Sequence, residues 1–130
     1  MIDHISVNVS DPAASKAFYE AALAPLGYRV VMEFGPVTGL GAPVPGAPEN
    51  APVSPELWLS PTKSPTPCHI AVAAASTAQV DAFHEAALVA GGTDNGAPGE
   101  RPHYHPGYYG AFVHDLDGNN LEAVFHGAGD

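Results

Sequence analysis

At 130 residues, 45% of them hydrophobic and 14% charged, the chain is sized for one folded domain and too apolar to be disordered. Its net charge of −10 leaves only four basic residues, Lys16, Arg29, Lys63 and Arg101. That excludes the clustered cations that nucleic acid or an anionic membrane demands, and it disfavours a polyanionic substrate unless a bound cation inverts the local field.

Residues 4–9 alternate, with Ile5, Val7 and Val9 on one face and His4, Ser6 and Asn8 on the other, which predicts a half-buried strand. Asp11-Pro12 then opens a helix, Asp11 as N-cap and Pro12 in the first turn. Phe18, Ala21, Ala22 and Pro25 mark its inner side and its end. Residues 28–34 form a second strand by their β-branched and aromatic content, 37–42 a short third and 56–59 a fourth. Eight of the 14 prolines lie between Pro43 and Pro67, so most of that stretch is irregular connection.

The order then recurs. Residues 69–74 are a strand, and Ser76 caps a helix over 77–90 with Gln79 at capping-box spacing. Gly91-Gly92 ends it. A weak strand at 93–97, a loop at 98–107, a strand at 108–114, a tight turn at Asp117-Gly118 and a last strand at 120–126 complete the chain. The pattern is βαβββ twice, an α+β fold. Its first module covers 1–60, a linker 61–67 and a second module 68–130.

The repeat is also literal. Residues 3–27 align without a gap on 68–92, with 11 of 25 positions identical, among them His4/His69, Phe18/Phe83 and Gly27/Gly92. Internal duplication pairs residues able to carry chemistry. His4 recurs as His69 at an offset of 65, and Glu56 has a counterpart in Glu122 at an offset of 66. If the helices cover the Ile5, Leu57, Ile70 and Leu121 face, then His4, Glu56, His69 and Glu122 all lie on the opposite, concave one. Carboxylates directed into a sheet interior are costly unless protonated, paired or metal-bound. Two imidazoles and two carboxylates balance one divalent cation.

The segments DHISVNVSDPAASKAFYEAAL, PELWL, HIAVAAA and DLDGNNLEAVF resemble the vicinal oxygen chelate superfamily, which includes glyoxalase I, extradiol dioxygenases and the bleomycin and fosfomycin resistance proteins. The resemblance implies two βαβββ modules whose sheets curl into a half-open barrel around one divalent metal, Zn, Ni, Co, Mn or Fe. It implies His4, Glu56, His69 and Glu122 as ligands, with Glu122 or Glu56 as the base of a glyoxalase-like lyase acting on a small substrate with adjacent oxygens. Two alternatives stay open. His4, His69 and Glu122 alone make the 2-His-1-carboxylate set of an Fe(II) dioxygenase. The same cup, with Phe34, Trp58 and Tyr109 as stacking surfaces, also suits a resistance-type binding protein without turnover. The arginines that hold glutathione carboxylates in glyoxalase I are not evident here.

In the loop GERPHYHPGYYGAFV, His103, Tyr104, His105, Tyr108 and Tyr109 suggest a lid, with His105 or Tyr108 donating hydrogen bonds to substrate. The bland alternative is that these rings only pin the loop to the sheet. His126 is a spare ligand, while His84 and His114 are solvated or core positions. Cys68, the single cysteine, is expected to be buried and inert. The opening residues show neither a basic nor an apolar leader region. With no disulfide available, a cytoplasmic location is expected. A homodimer is expected too, with the modules pairing within one chain or across two.

Overall fold

A computed structural model describes residues 1–127, so the predicted end of the second module at 130 lies outside the described residues. Strand β1 (Ile5–Val9) buries Val7 and Val9 completely, as its alternation requires. Helix α1 (Pro12–Leu23) begins where the Asp11 carboxylate accepts the Ala14 N–H at 3.1 Å. Its inner face is Ser15, Phe18, Tyr19, Ala22 and Leu23. Ala21, expected inside, is exposed, because the apolar stripe is centred one residue away. A short 3-10 turn over Ala24–Leu26 ends at Gly27, whose φ of 85° favours glycine. Strands β2 (Arg29–Phe34), β3 (Val37–Gly41) and β4 (Leu57–Pro61) complete a sheet of order β1-β4-β3-β2, in which β1 and β4 are parallel.

The second half repeats this with β5 (His69–Ala73), α2 (Thr77–Val89), β6 (Thr93–Glu100), β7 (Tyr108–His114) and β8 (Asn120–His126), in the order β5-β8-β7-β6. The predicted α+β, twice-βαβββ architecture stands, and neither sheet closes on itself. Ser76 accepts the Gln79 N–H at 3.2 Å, and the Gln79 side chain accepts the Ala75 N–H at 2.7 Å. β6 runs three residues past its expected end. It is an outer strand with two register shifts against β7, so Pro98 sits where a missing N–H is tolerated. β4 starts one residue later than expected, which leaves Glu56 just ahead of it.

The helices pack on each other and each on its own sheet. One core runs across both modules, from Val7, Leu59, Phe18 and Leu23 to Val80, Phe83, Val113 and Leu121. A polar clamp reinforces it. Asp115, at the end of β7, accepts hydrogen bonds from the backbone N–H groups of Asp117 and Asn119, at 2.9 and 2.8 Å, and from the Asn119 side chain at 2.8 Å. It also accepts one from the hydroxyl of fully buried Tyr19, on the helix of the other module. Asn119 donates onward to the Asn8 carbonyl at 3.3 Å, and Ser10 donates to Asp117. Cys68 is exposed rather than buried, because it precedes β5 on the rim, where its backbone is engaged, its N–H by the Asn119 side chain at 2.9 Å and its carbonyl by the Asn120 N–H at 2.8 Å, while its thiol faces outward.

Gly41 shows how tightly the first sheet is closed. A Cβ there would stand 2.1 Å from the Ser54 carbonyl oxygen, in backbone that cannot swing aside. Gly41→Ala is expected to lower unfolding free energy by about 2–3 kcal/mol in urea titrations; a loss of under about 0.5 kcal/mol would mean the 51–56 segment is loose.

Candidate functional site

Glu122 lies in β8, between β5 and β7, in register with Ala71 and Phe112. Because side chains alternate, His69, Phe112, Tyr108 and Glu122 share the face turned away from the helices. The Glu122 side chain is only 2% exposed. Its Oε1 lies 2.8 Å from His69 Nε2, and its Oε2 accepts a hydrogen bond from the Tyr108 hydroxyl. Partial burial, then the Glu122 carboxylate, push the Tyr108 pKa well above its ordinary value, so this hydroxyl stays a donor.

In the first module the backbone fixes Glu56. Its carbonyl accepts the Ile5 N–H at 2.9 Å and its N–H donates to Leu40 at 2.8 Å. Its Oε2 accepts from the Tyr28 hydroxyl at 2.7 Å. Burial, then this bond, raise the Tyr28 pKa. His4 Nδ1 stands 2.6 Å from an Asp3 oxygen. His4 and Glu56 line a cavity of about 660 Å³ with Tyr28, Val44, Leu57 and Val72.

Each half therefore carries a histidine and a carboxylate, with a tyrosine on the carboxylate. The structure joins His69 to Glu122 and sets His4 and Glu56 around one cavity. Among the described residues, no three His, Cys, Asp or Glu side chains converge to hold a metal ion within one chain.

A sequence model of the Glyoxalase/Bleomycin resistance protein/Dioxygenase superfamily matches residues 1–123. The chain belongs to this superfamily. A glyoxalase/bleomycin resistance protein from Albidiferax ferrireducens T118 is 29% identical, superposes with a TM-score of 0.71, and is matched over 94% of this chain and 95% of that one. A glyoxalase/bleomycin resistance protein/dioxygenase family enzyme from Burkholderia phytofirmans PsJN is 17% identical at a TM-score of 0.67, over 96% and 98% of the two chains. An E144Q glyoxalase I mutant from Zea mays is 23% identical at 0.66, covering 95% of this chain but 46% of the maize one. These last two likenesses concern the fold. No curated protein matches the sequence.

Two features of this superfamily member depart from the sequence reading. First, Glu56 and Glu122 are not at equivalent positions. Ile5 pairs with Leu57 and Ile70 with Leu121, so the counterpart of Glu56 is Asn120 and that of Glu122 is Trp58. The slip is two residues, which preserves the face. Second, Tyr109 does not look into the cup. Its hydroxyl donates to Asp81 of α2 at 2.6 Å, because its neighbour Tyr108 already takes the concave side. Trp58 does share the Glu56 face and stacks on Phe34, centroids 5.9 Å apart.

The loop rings mostly hold one another. His103 lies 4.3 Å from Tyr104, and Tyr104 meets the Tyr108 ring edge-on at 4.9 Å. His105 Nε2 stands 2.9 Å from His126 Nδ1, which engages the residue read as a spare ligand. His84, read as solvated or core, bonds Asp94 at 2.9 Å and holds that carboxyl below its ordinary pKa. Sequence reasoning missed Tyr28 as partner of Glu56, and it missed Arg101 over Phe112. A tyrosine placed in a strand pattern gave no signal. An arginine set in a Gly-Pro loop beside a strand of aromatic residues is the signal that points to Arg101. No helix among the described residues is long and apolar enough to cross a membrane.

Proposed function

We propose that this superfamily member is a metal-dependent, glyoxalase-like lyase or isomerase, with its metal bound between two chains. His4 and Glu56 of one copy and His69 and Glu122 of another supply the ligands. The observation that carries this is the division of the candidate ligands, His69 bonded to Glu122 and His4 lining one cavity with Glu56, into two sets that one chain does not unite.

The donors fit a cation. Two ligands about 2.1 Å from one ion at right angles stand about 3 Å apart; His69 Nε2 and Glu122 Oε1 are 2.8 Å apart. Tyr108 and Tyr28 each occupy one carboxylate oxygen and leave the other available. The bond from His4 to Asp3 uses Nδ1 and leaves Nε2, the usual outer support of a metal-bound imidazole. A divalent ion held there supplies Lewis-acid polarisation of adjacent oxygens on a small substrate.

The chain's own residues do the rest. Glu122, once its Oε1 is released from the ion, would take the proton from the carbon beside the polarised carbonyl on Oε1, the oxygen Tyr108 leaves free, and return it to the neighbouring carbon. Tyr108 keeps that carboxylate aimed. Met32 and Phe34, 40% and 62% exposed, join Trp58 as apolar surface on the open face of the first sheet, which suits cover by a second copy.

Metal analysis of the purified protein tests this. One divalent ion per chain is expected, and Glu122→Gln is expected to weaken binding by more than the roughly 10–100-fold that losing an outer partner costs. Glu56→Gln is expected to do the same. Unchanged metal content in Glu56→Gln would leave His4, His69 and Glu122, the donor set of an Fe(II) dioxygenase. Protein without bound metal that captures a ligand stoichiometrically without turnover would support the binding-protein reading.

A further inference from the structure

Arg101 is out of place for a chain this acidic. Lys16 pairs with Glu33, and Arg29 and Lys63 are exposed. Arg101 is half-buried, yet among the described residues no carboxylate lies within ion-pair distance of it. Among the described residues its guanidinium hydrogen-bonds only to backbone carbonyls, Ala97 at 2.8 Å and Glu100 at 3.4 Å. A guanidinium has five N–H donors, so several remain.

Its position is specific. The guanidinium carbon lies 5.5 Å from the centroid of the Phe112 ring. Phe112 is in register with Glu122, and its ring lies 6.2 Å from the His69 ring. The cation therefore borders the face that carries the second ligand pair. Glycines clear the ground around it. A Cβ at Gly99 would stand 3.2 Å from Arg101 Nη1, and one at Gly96 would stand 3.4 Å from Nη2 and 2.9 Å from Phe112. A Cβ at Gly110 would stand 3.5 Å from Glu122 Oε2.

We propose that Arg101 is the anchor for the carboxylate of a small monoanionic substrate whose flat apolar body lies against Phe112. Charge sets the class. A divalent ion with Glu56 and Glu122 is neutral, so Arg101 remains as one uncompensated positive charge. The planar fork suits a carboxylate. The proposal rests on the metal reading for the single negative charge of the substrate and for what happens at its far end, and not for the anion contact itself.

Calorimetric titration of the protein as purified, with benzoate and with neutral benzamide, tests it. Benzoate is expected to bind about tenfold or more tightly than benzamide, and Arg101→Gln to abolish that preference. Arg101→Lys is expected to keep part of it. Gly99→Val, which leaves Arg101 in place and crowds its fork, is expected to reduce it and serves if the Arg101 variants misfold. Equal binding of the two probes by the wild type, or an undiminished preference in Arg101→Gln, would overturn the proposal. Metal content measured on the same samples separates the two readings. An Arg101-dependent preference in protein that binds no metal sinks the metal centre alone, and metal-loaded protein without the preference sinks the anchor alone.

Discussion

Mixing two metal-free variants is expected to restore metal binding. In the first, His4→Ala is combined with Glu56→Gln; in the second, His69→Ala with Glu122→Gln. Each homodimer then lacks a ligand pair at both sites. A mixed dimer places both damaged pairs in one site and both intact pairs in the other. Random exchange makes half the dimers mixed, each with one of two sites whole, so roughly a quarter of all sites recover metal. A site built within one chain recovers none, since every chain carries a lesion. Dialysis of the mixture against a buffered metal, followed by elemental analysis, reads the result. Failure to recover metal after proven subunit exchange, or a monomer in light scattering at micromolar concentration, would end the two-chain arrangement.

Asp115→Ala is expected to cost about 3–5 kcal/mol of folding free energy, a large part of the roughly 5–15 kcal/mol available to a domain of this size. The cost comes from what is left behind. The Tyr19 hydroxyl is fully buried, and the N–H of Asn119, itself 1% exposed, loses its acceptor. A buried donor without a partner keeps its whole desolvation penalty. Tyr19→Phe removes donor and penalty together and is expected to cost only about 1–2 kcal/mol. Urea denaturation of both variants checks the order. Equal losses would show that stranded donors do not carry the cost, and a loss below about 1 kcal/mol for Asp115→Ala would show that the clamp is incidental to stability.

Much of the fold was legible because local signals agreed. Asp11-Pro12, Ser76 with Gln79, and Gly91-Gly92 bound the two helices, and the alternation of Ile5, Val7 and Val9 sets the buried face of β1. Boundaries failed where local pattern loses to pairing. β6 extends to Glu100 because β7 offers it a partner, through two bulges that no periodicity announces. That His69 and Glu122 share a face was also legible, since strand parity sets it. The equivalence of Glu56 and Glu122 was not, because counting residues across Pro-rich loops says nothing about register. Hydroxyl partners were invisible for a related reason. Tyr28 and Glu56 are 28 residues apart, and only the packed chain brings them to 2.7 Å.

The slipped register also limits how this protein can be re-engineered. One step along a strand advances about 3.3 Å, so two steps displace a side chain by roughly 7 Å. A tandem of two second halves would put an acid where Trp58 stands and an amide where Glu56 stands. The ancestral copies have thus ceased to be interchangeable parts, and a symmetrised version of the chain would inherit the scaffold while carrying its second acid two residues away from the place of Glu56.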